Sequence, residues 1–299
     1  MNASVGAQGR AGLRPRPSAR GGRKAGRTLV TIVVYLLLTV GALAMLMPFA
    51  WMVLTSLKPF DEAYTSAFFP SRISFESYRD AWASSRVQSM FPRWYLNSAI
   101  VTSVSVISAA FFCSLAGYAF SRYRFPGRSV LFILVLSTMM IPVEMLILPW
   151  YQFMVNIKWA NTYLGLLWPL MMGGFGIFLM TQFMDGVPAD LMDAGRVDGV
   201  SEFGIFVRIV VPLVKPAIAA LCIMTFLGAW NDFLWPLIVI NDRAMWTVSL
   251  GIGSFGGELA REWNLQMAAA TIASIPIITF FLFFQRQIIE GISLTGLKG

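Results

Sequence analysis

Long apolar runs separated by short polar links dominate this chain. Thr28 to Leu57, Trp94 to Ser121, Trp159 to Met184 and Trp263 to Gln285 contain no charged residue. Ser129 to Ile157 contains only Glu144, and Pro216 to Asn241 only Asp232. A helix needs about 20 apolar residues to cross a bilayer. Each run is long enough, so the pattern predicts an all-α membrane protein with six transmembrane helices, at about 29–55, 95–120, 130–152, 161–184, 213–240 and 266–286. Pro142, Pro149, Pro169, Gly173, Gly174 and Gly176 punctuate the third and fourth runs. Inside lipid such residues are tolerated where neighbouring helices or a cavity satisfy the freed backbone.

Composition agrees with that solvent. Hydrophobic residues make up 57% and charged residues 13% of 299 positions, against about 25% charged in soluble domains. A soluble enzyme, a disordered chain and a disulfide scaffold are excluded. The absence of histidine removes Ser-His-Asp catalysis, His-ligated metals and histidine proton shuttles. Cys113 and Cys222 lie in apolar runs and read as small buried hydrophobes.

The placement of Lys and Arg orients the spans. Of 23 such residues, 15 fall in the tail before the first run, in the second-to-third and fourth-to-fifth links and after the sixth run. The remaining eight are spread over longer links that also carry acids. Both termini are therefore expected in the cytoplasm. Residues 1–27 form a basic tail, read as disordered, and residues 28–299 form the membrane domain. The first run is too long for a signal-peptide core and no A-x-A site closes it, so it reads as an anchor. Gly and Pro in the tail spoil the amphipathic helix that an organellar transit peptide would need.

Two glycine patterns imitate nucleotide sites. Gly251 to Gly256 matches G-x-G-x-x-G, but it lies in a link between spans and has no βαβ frame. Gly291 to Lys298 has the glycine spacing of a phosphate loop, but Leu297 stands where Lys is needed. Any ATP chemistry must come from another chain.

The link between the fourth and fifth runs, 185–212, is the most informative. Pro188 and Asp190 suit a helix N-terminus. Asp198-Gly199 reads as a turn, and Ser201 as the cap of a second helix that enters the membrane near Pro212. Leu191, Ala194, Gly195 and Asp198 recur at i, i+3, i+4 and i+7 and predict one stripe. The small Ala194 and Gly195 would let a partner surface approach closely. Asp190, Asp193 and Asp198, beside a single Arg196, make an acidic face that disfavours anionic lipid. The alternatives are a helix resting on headgroups and a metal site made of the three Asp. The stripe favours protein docking.

Asp193-Ala194-Gly195, Gly199, Ile209 and Val211-Pro212 keep every spacing of the EAA loop of permease subunits of binding-protein-dependent ABC importers. That pattern is Glu-Ala-Ala, three residues, Gly, nine residues, Ile, one residue, Leu-Pro. Asp193, Gly195 and Val211 depart from it, and Gly195 costs about 1 kcal/mol of helix propensity. Phe226 to Pro236, Met267 to Ala270, Phe283 to Arg286 and the ending Gly291 to Gly299 resemble the carbohydrate-type branch, similar to the smaller maltose-permease subunit. The resemblance covers about residues 28–299.

The resemblance implies a non-enzymatic permease subunit in a bacterial-type cytoplasmic membrane, importing a sugar or oligosaccharide. A polyol or glycerol phosphate is the alternative substrate. It implies a second homologous permease subunit, two copies of an ATPase subunit that use ATP and Mg, and an extracytoplasmic substrate-binding protein meeting outer loops that include 242–262. No nucleic acid and no cofactor of this chain's own is implied. Asp190, Leu191, Asp193, Ala194, Gly195, Asp198, Gly199, Ile209 and Pro212 would couple to the ATPase, and Thr295 to Gly299 would also reach it.

Intramembrane polar residues are candidate functional groups. Asn231 and Asp232 lie about 15 residues, roughly 22 Å, into the fifth span. Glu144 lies similarly deep in the third. With Trp230 and Trp235 they are candidate lining of a substrate pathway. Alternatively, Asn231 and Asp232 serve a broken helix and the Trp residues are interfacial anchors. Rival readings are a secondary, ion-coupled transporter, a channel subunit or an intramembrane enzyme. Only the importer gives residues 193–212 a task.

Overall fold

The computed structural model describes residues 20–62, 64–83, 90–258 and 263–296. Among these there are helices and no strand. In chain order the α-helices are α1 (Arg20–Ser56), α2 (Glu76–Ala83), α3 (Phe91–Arg122), α4 (Arg128–Thr138), α5 (Val143–Asn156), α6 (Tyr163–Leu167) and α7 (Gly174–Asp185). They continue with α8 (Ala189–Val197), α9 (Glu202–Ile205), α10 (Val211–Leu213), α11 (Lys215–Asn231), α12 (Leu234–Val239), α13 (Val248–Glu258) and α14 (Trp263–Gly296).

Residues up to Trp51 form one compact unit and those from Met52 another. In the first unit residues 20–51 belong to the long helix α1, with Pro48 inside it. Its start at Arg20 takes in residues 20–27, which the sequence assigns to a disordered tail. Residues 1–19 lie outside the described residues. Leu36, Leu43, Met45 and neighbouring apolar side chains are exposed, as a lipid-facing surface requires.

Three helical stretches are long and apolar enough to cross a membrane: Val30–Ser56, Phe91–Arg122 and Trp263–Gln285. Three further pairs pass the same test only together, and each is sharply bent. Arg128–Thr138 meets Val143–Asn156 at 103°, Tyr163–Leu170 meets Gly174–Asp185 at 43°, and Glu202–Leu213 meets Lys215–Asn231 at 81°. The continuous spans expected at 130–152, 161–184 and 213–240 are thus broken. The first break precedes Pro142, which has no N–H to continue a helix. The second ends at Gly173. The expected fifth span is broken again at Asp232–Phe233, between α11 and α12.

In the second unit α3 lies against both α7 and α11. A Cβ on Gly117 would stand 2.9 Å from the Met180 carbonyl carbon and the Thr181 nitrogen. One on Gly176 would stand 2.7 Å from Cys113 Sγ. Only glycine lets these helices approach so closely. Cys113 is buried and Cys222 half-buried, the packing role expected of both.

At one end of α3, Tyr118, Met184, Met192, Ile205 and Phe206 share a core. At the other end Phe91, Trp94, Trp230, Val248 and Leu265 form a second core. There Asn97, fully buried, donates to the carbonyls of Ala244 and Trp246, both at 2.8 Å. Its Oδ1 accepts from Tyr163 Oη at 2.6 Å. Trp94 Nε1 donates to the Arg243 carbonyl at 2.6 Å, and Ser98 Oγ accepts from the Val248 N–H at 2.8 Å. Lys58 is likewise an internal clip, buried and donating to the carbonyls of Thr65 (3.1 Å) and Ala67 (2.6 Å).

Candidate functional site

The segment 186–213 follows the local chemistry of its sequence. Pro188 occupies the N-cap position of α8, and Asp190 lies in the first turn. The helix closes at Asp198, and Gly199 takes φ +76°, a left-handed conformation that glycine adopts without strain. The Gly199 N–H reaches the Arg196 carbonyl at 3.0 Å and the Val200 N–H the Gly195 carbonyl at 2.9 Å. Those two bonds define a Schellman turn. Val200 then packs inward against the adjoining core. Ser201 caps α9, accepting from the Gly204 N–H at 3.2 Å. A π-helical stretch, Phe206–Val210, continues into α10, and Pro212 is exposed beside the bend.

One predicted residue is misplaced. Gly195 does not share an outward stripe with Leu191, Ala194 and Asp198; it is buried, as is Met192. A Cβ on Gly195 would lie 2.7 Å from Ile209 Cδ1 and 3.4 Å from Ile205 Cγ1. The small residue admits this chain's own isoleucines, not a partner. Ile209 is accordingly half-buried beneath α8. Asp190, Leu191, Asp193, Ala194, Asp198 and Gly199 all face outward. So do Val197, 88% exposed, and Phe203, 60% exposed, which the sequence does not single out.

Charges tie this segment together. Arg196 reaches Asp193 Oδ1 at 2.6 Å and holds Glu202 with two nitrogens, at 2.8 and 3.3 Å. The Arg196 bonds, followed by that from Tyr123, hold the Glu202 carboxyl below the usual glutamate range. Tyr123, just past α3, donates to Glu202 Oε2 at 2.9 Å. Burial, then the Glu202 carboxylate, pushes the Tyr123 phenol up to about 12, so it remains a donor. Arg122 donates to the carbonyls of Met184 and, at 2.6 Å, Val187.

The intramembrane candidates divide. Trp230 is buried, donates to the Ala273 carbonyl at 3.0 Å and stacks on Phe226. Trp235 is buried, donates to the Gly165 carbonyl at 2.8 Å and meets Trp150 edge-on. In this structure neither offers a free ring face, and both pack as struts of the bundle. Asp232 accepts from the Trp235 N–H at 3.4 Å, serving the start of α12 as the broken-helix alternative holds. Asn231 is exposed and donates back to the Leu227 carbonyl at 2.9 Å. Glu144 is exposed in the first turn of α5, where a carboxylate meets the positive end of the helix.

A different group encloses space. A cavity of about 630 Å³ opens where the α4–α5 break faces the turn before α7. Phe112, Trp150, Trp168, Met171 and Met172 give it aromatic and thioether walls, and Thr138 and Gly174 belong to the two breaks. A Cβ on Gly174 would stand 2.7 Å from Thr138 Oγ1. Among the described lining residues there is no Lys or Arg. The proline and glycine punctuation is the sequence signal that could have located this cavity.

Residues 109–293 match the family described as binding-protein-dependent transport system inner membrane component. The arabinooligosaccharides transport system permease protein AraQ of Bacillus subtilis is 35% identical over 262 residues, covering 86% of this chain and 92% of that protein. The sn-glycerol-3-phosphate transport system permease protein UgpE of Shigella flexneri is 32% identical over 272 residues, 89% and 97% of the two chains. In fold, the chain is similar to one from the crystal structure of a bacterial ABC transporter involved in the import of the acidic polysaccharide alginate. That match has a TM-score of 0.77, 22% identity and coverage of 91% and 99%.

Proposed function

The chain belongs to the family of binding-protein-dependent transport system inner membrane components, and from that premise we propose that it is one permease half of an ATP-driven importer of sugars or oligosaccharides. It lies multi-pass in a bacterial cytoplasmic membrane, with both termini inside and six spans when each bent pair is counted as one. A second, homologous permease completes the pore. Two ATPase subunits, using ATP and Mg, dock on its inner face, and an extracytoplasmic binding protein meets the outer loops.

The observation that carries this reading is the exposed α8 with its Schellman turn. Its outward residues Asp190, Leu191, Asp193, Ala194, Val197, Asp198 and Gly199 form a short acidic ridge with apolar centres. That ridge suits a groove on an ATPase. Gly195, Ile209 and Pro212 act behind it, joining α8 to the helix that enters the bundle. Closure of the ATPase pair on ATP would push α8 and rock the two permease halves from inward- to outward-facing.

The substrate passes the cavity at the two helix breaks, where Trp150 and Trp168 offer apolar faces to a sugar ring. AraQ is named for arabinooligosaccharides and UgpE for sn-glycerol 3-phosphate. A phosphate calls for cationic partners, and the described cavity wall has none. The neutral sugar is therefore favoured over glycerol phosphate. Reconstituted with its partners in proteoliposomes, the transporter should take up labelled arabinooligosaccharide and not sn-glycerol 3-phosphate when ATP and Mg are supplied to the ATPases. The reverse preference would refute the assignment.

A further inference from the structure

The two ends of α3 are fastened to opposite links of the chain. At its close, two adjacent residues grip the 186–202 segment on both flanks. Arg122 donates to the Met184 and Val187 carbonyls at the entry, where the end of α7 leaves backbone oxygens without helical partners. Tyr123 donates to Glu202 at the exit, and Glu202 holds Arg196 in α8 through two further bonds. At the start of α3, Trp94, Asn97 and Ser98 are bonded to the backbone of residues 243–248. Between the two ends α3 is a helix of 32 residues, about 48 Å long at 1.5 Å per residue. It is one continuous helix with no proline beyond its first turn, so the commonest cause of a sharp kink is absent.

Taking α8 as the ATPase-docking helix, we propose that α3 is the strut that carries motion of α8 to the 243–248 link on the other face. Arg122 and Tyr123 are its positioning residues at the α8 end, and Asn97 at the far end. The helix entering the bundle from α10 is a poorer conduit, because it turns by 81° between Leu213 and Lys215 and contains the π-helical stretch. A push on α8 would bend that junction. The same push reaches α3 through a guanidinium and a phenol at its very end, and α3 runs unbroken from there to its start.

The test uses the whole purified complex and needs no transport substrate. Asn241, exposed at the start of the 243–248 link, is changed to Cys and its labelling rate by a fluorescent maleimide is followed. ATP, Mg and orthovanadate, which trap the ATPase pair closed, should change that rate in the parent. Tyr123→Phe removes one oxygen and keeps the ring. It should leave the ATPase bound yet reduce the response about threefold to tenfold, the factor a typical net hydrogen bond is worth when solvent-exposed as this one is. Glu202→Gln should do the same from the opposite side of the bond. An undiminished response in both variants overturns the proposal, as does a parent link that does not respond. Loss of the ATPase from Tyr123→Phe also overturns it, since the bond would then only shape the docking surface. A parent chain that purifies with no ATPase refutes instead the docking reading on which the proposal rests.

Discussion

Replacing Gly199 separates folding from docking. Its φ of +76° lies where a bulky L-residue costs about 1–2 kcal/mol, while Asn accepts that conformation at a smaller cost. A Cβ there meets nothing within 4 Å, so no clash arises inside the chain. Gly199→Val would press the turn out of the left-handed region. That would endanger the Gly199–Arg196 and Val200–Gly195 bonds, each worth about 1 kcal/mol. Gly199→Asn should keep both bonds and lower stability by less than about 1 kcal/mol, a Tm shift within about 2–4 °C. Yet its side chain projects into the space assigned to the ATPase. Gly199→Asn and Gly199→Asp should therefore leave the chain inserted and stable, while ATPase retention and uptake fall together. Tm follows from fluorescence-detected size exclusion, and coupling from ATP hydrolysis and uptake in proteoliposomes. Uptake at the parent rate in Gly199→Asp would refute the docking argument. A large loss of Tm in Gly199→Asn would refute the structural one.

Three further outcomes are expected. Gly195→Ala gains about 1 kcal/mol of helix propensity but sets a Cβ against Ile209 Cδ1; the single change should be near neutral in Tm and Gly195→Ala/Ile209→Val stabler than Ile209→Val alone, and equal Tm values for those two would contradict the packing account. Trp230→Ala should destabilise by about 3–5 kcal/mol, as buried aromatics do, whereas Trp168→Ala, at a half-open cavity wall, should keep Tm and slow uptake; the opposite pattern would reverse their assigned roles. The lowered Glu202 carboxyl gives a tie that is complete above the usual glutamate range and is lost as pH falls through the lowered value. Hydrogen exchange over residues 194–202, corrected for intrinsic rates, should therefore rise only in acid in the parent. It should already be high at neutral pH in Glu202→Gln, and equal profiles would dismiss the tie.

What was legible in the sequence was local. The Asp198-Gly199 turn and the Ser201 cap depend on residues within four positions, and the structure forms both. Apolar run length likewise gave the membrane class. Gly195 was misread because helical spacing alone placed it with Ala194; only the isoleucines ten and fourteen residues on decide that it faces inward. Trp230 and Trp235 stand beside Asn231 and Asp232, and that polarity suggested an open cavity. Their indole partners, Ala273 and Gly165, lie 43 and 70 residues away. The grips of Arg122 on Met184 and of Tyr123 on Glu202 span 62 and 79 residues, so Arg122 counted in the sequence only as an orienting charge. The breaks were half visible. Pro142 and the glycines near 173 marked places where a helix can stop, but not the angles at which its halves would meet.

The most direct test of the account is the intact mass of the complex that the tagged chain forms when extracted in mild detergent. The account predicts one copy of this chain, one second permease with its own EAA-like loop and two ATPase subunits. A monomer, or a homo-oligomer with no ATPase, would contradict it and return the chain to the carriers or channels.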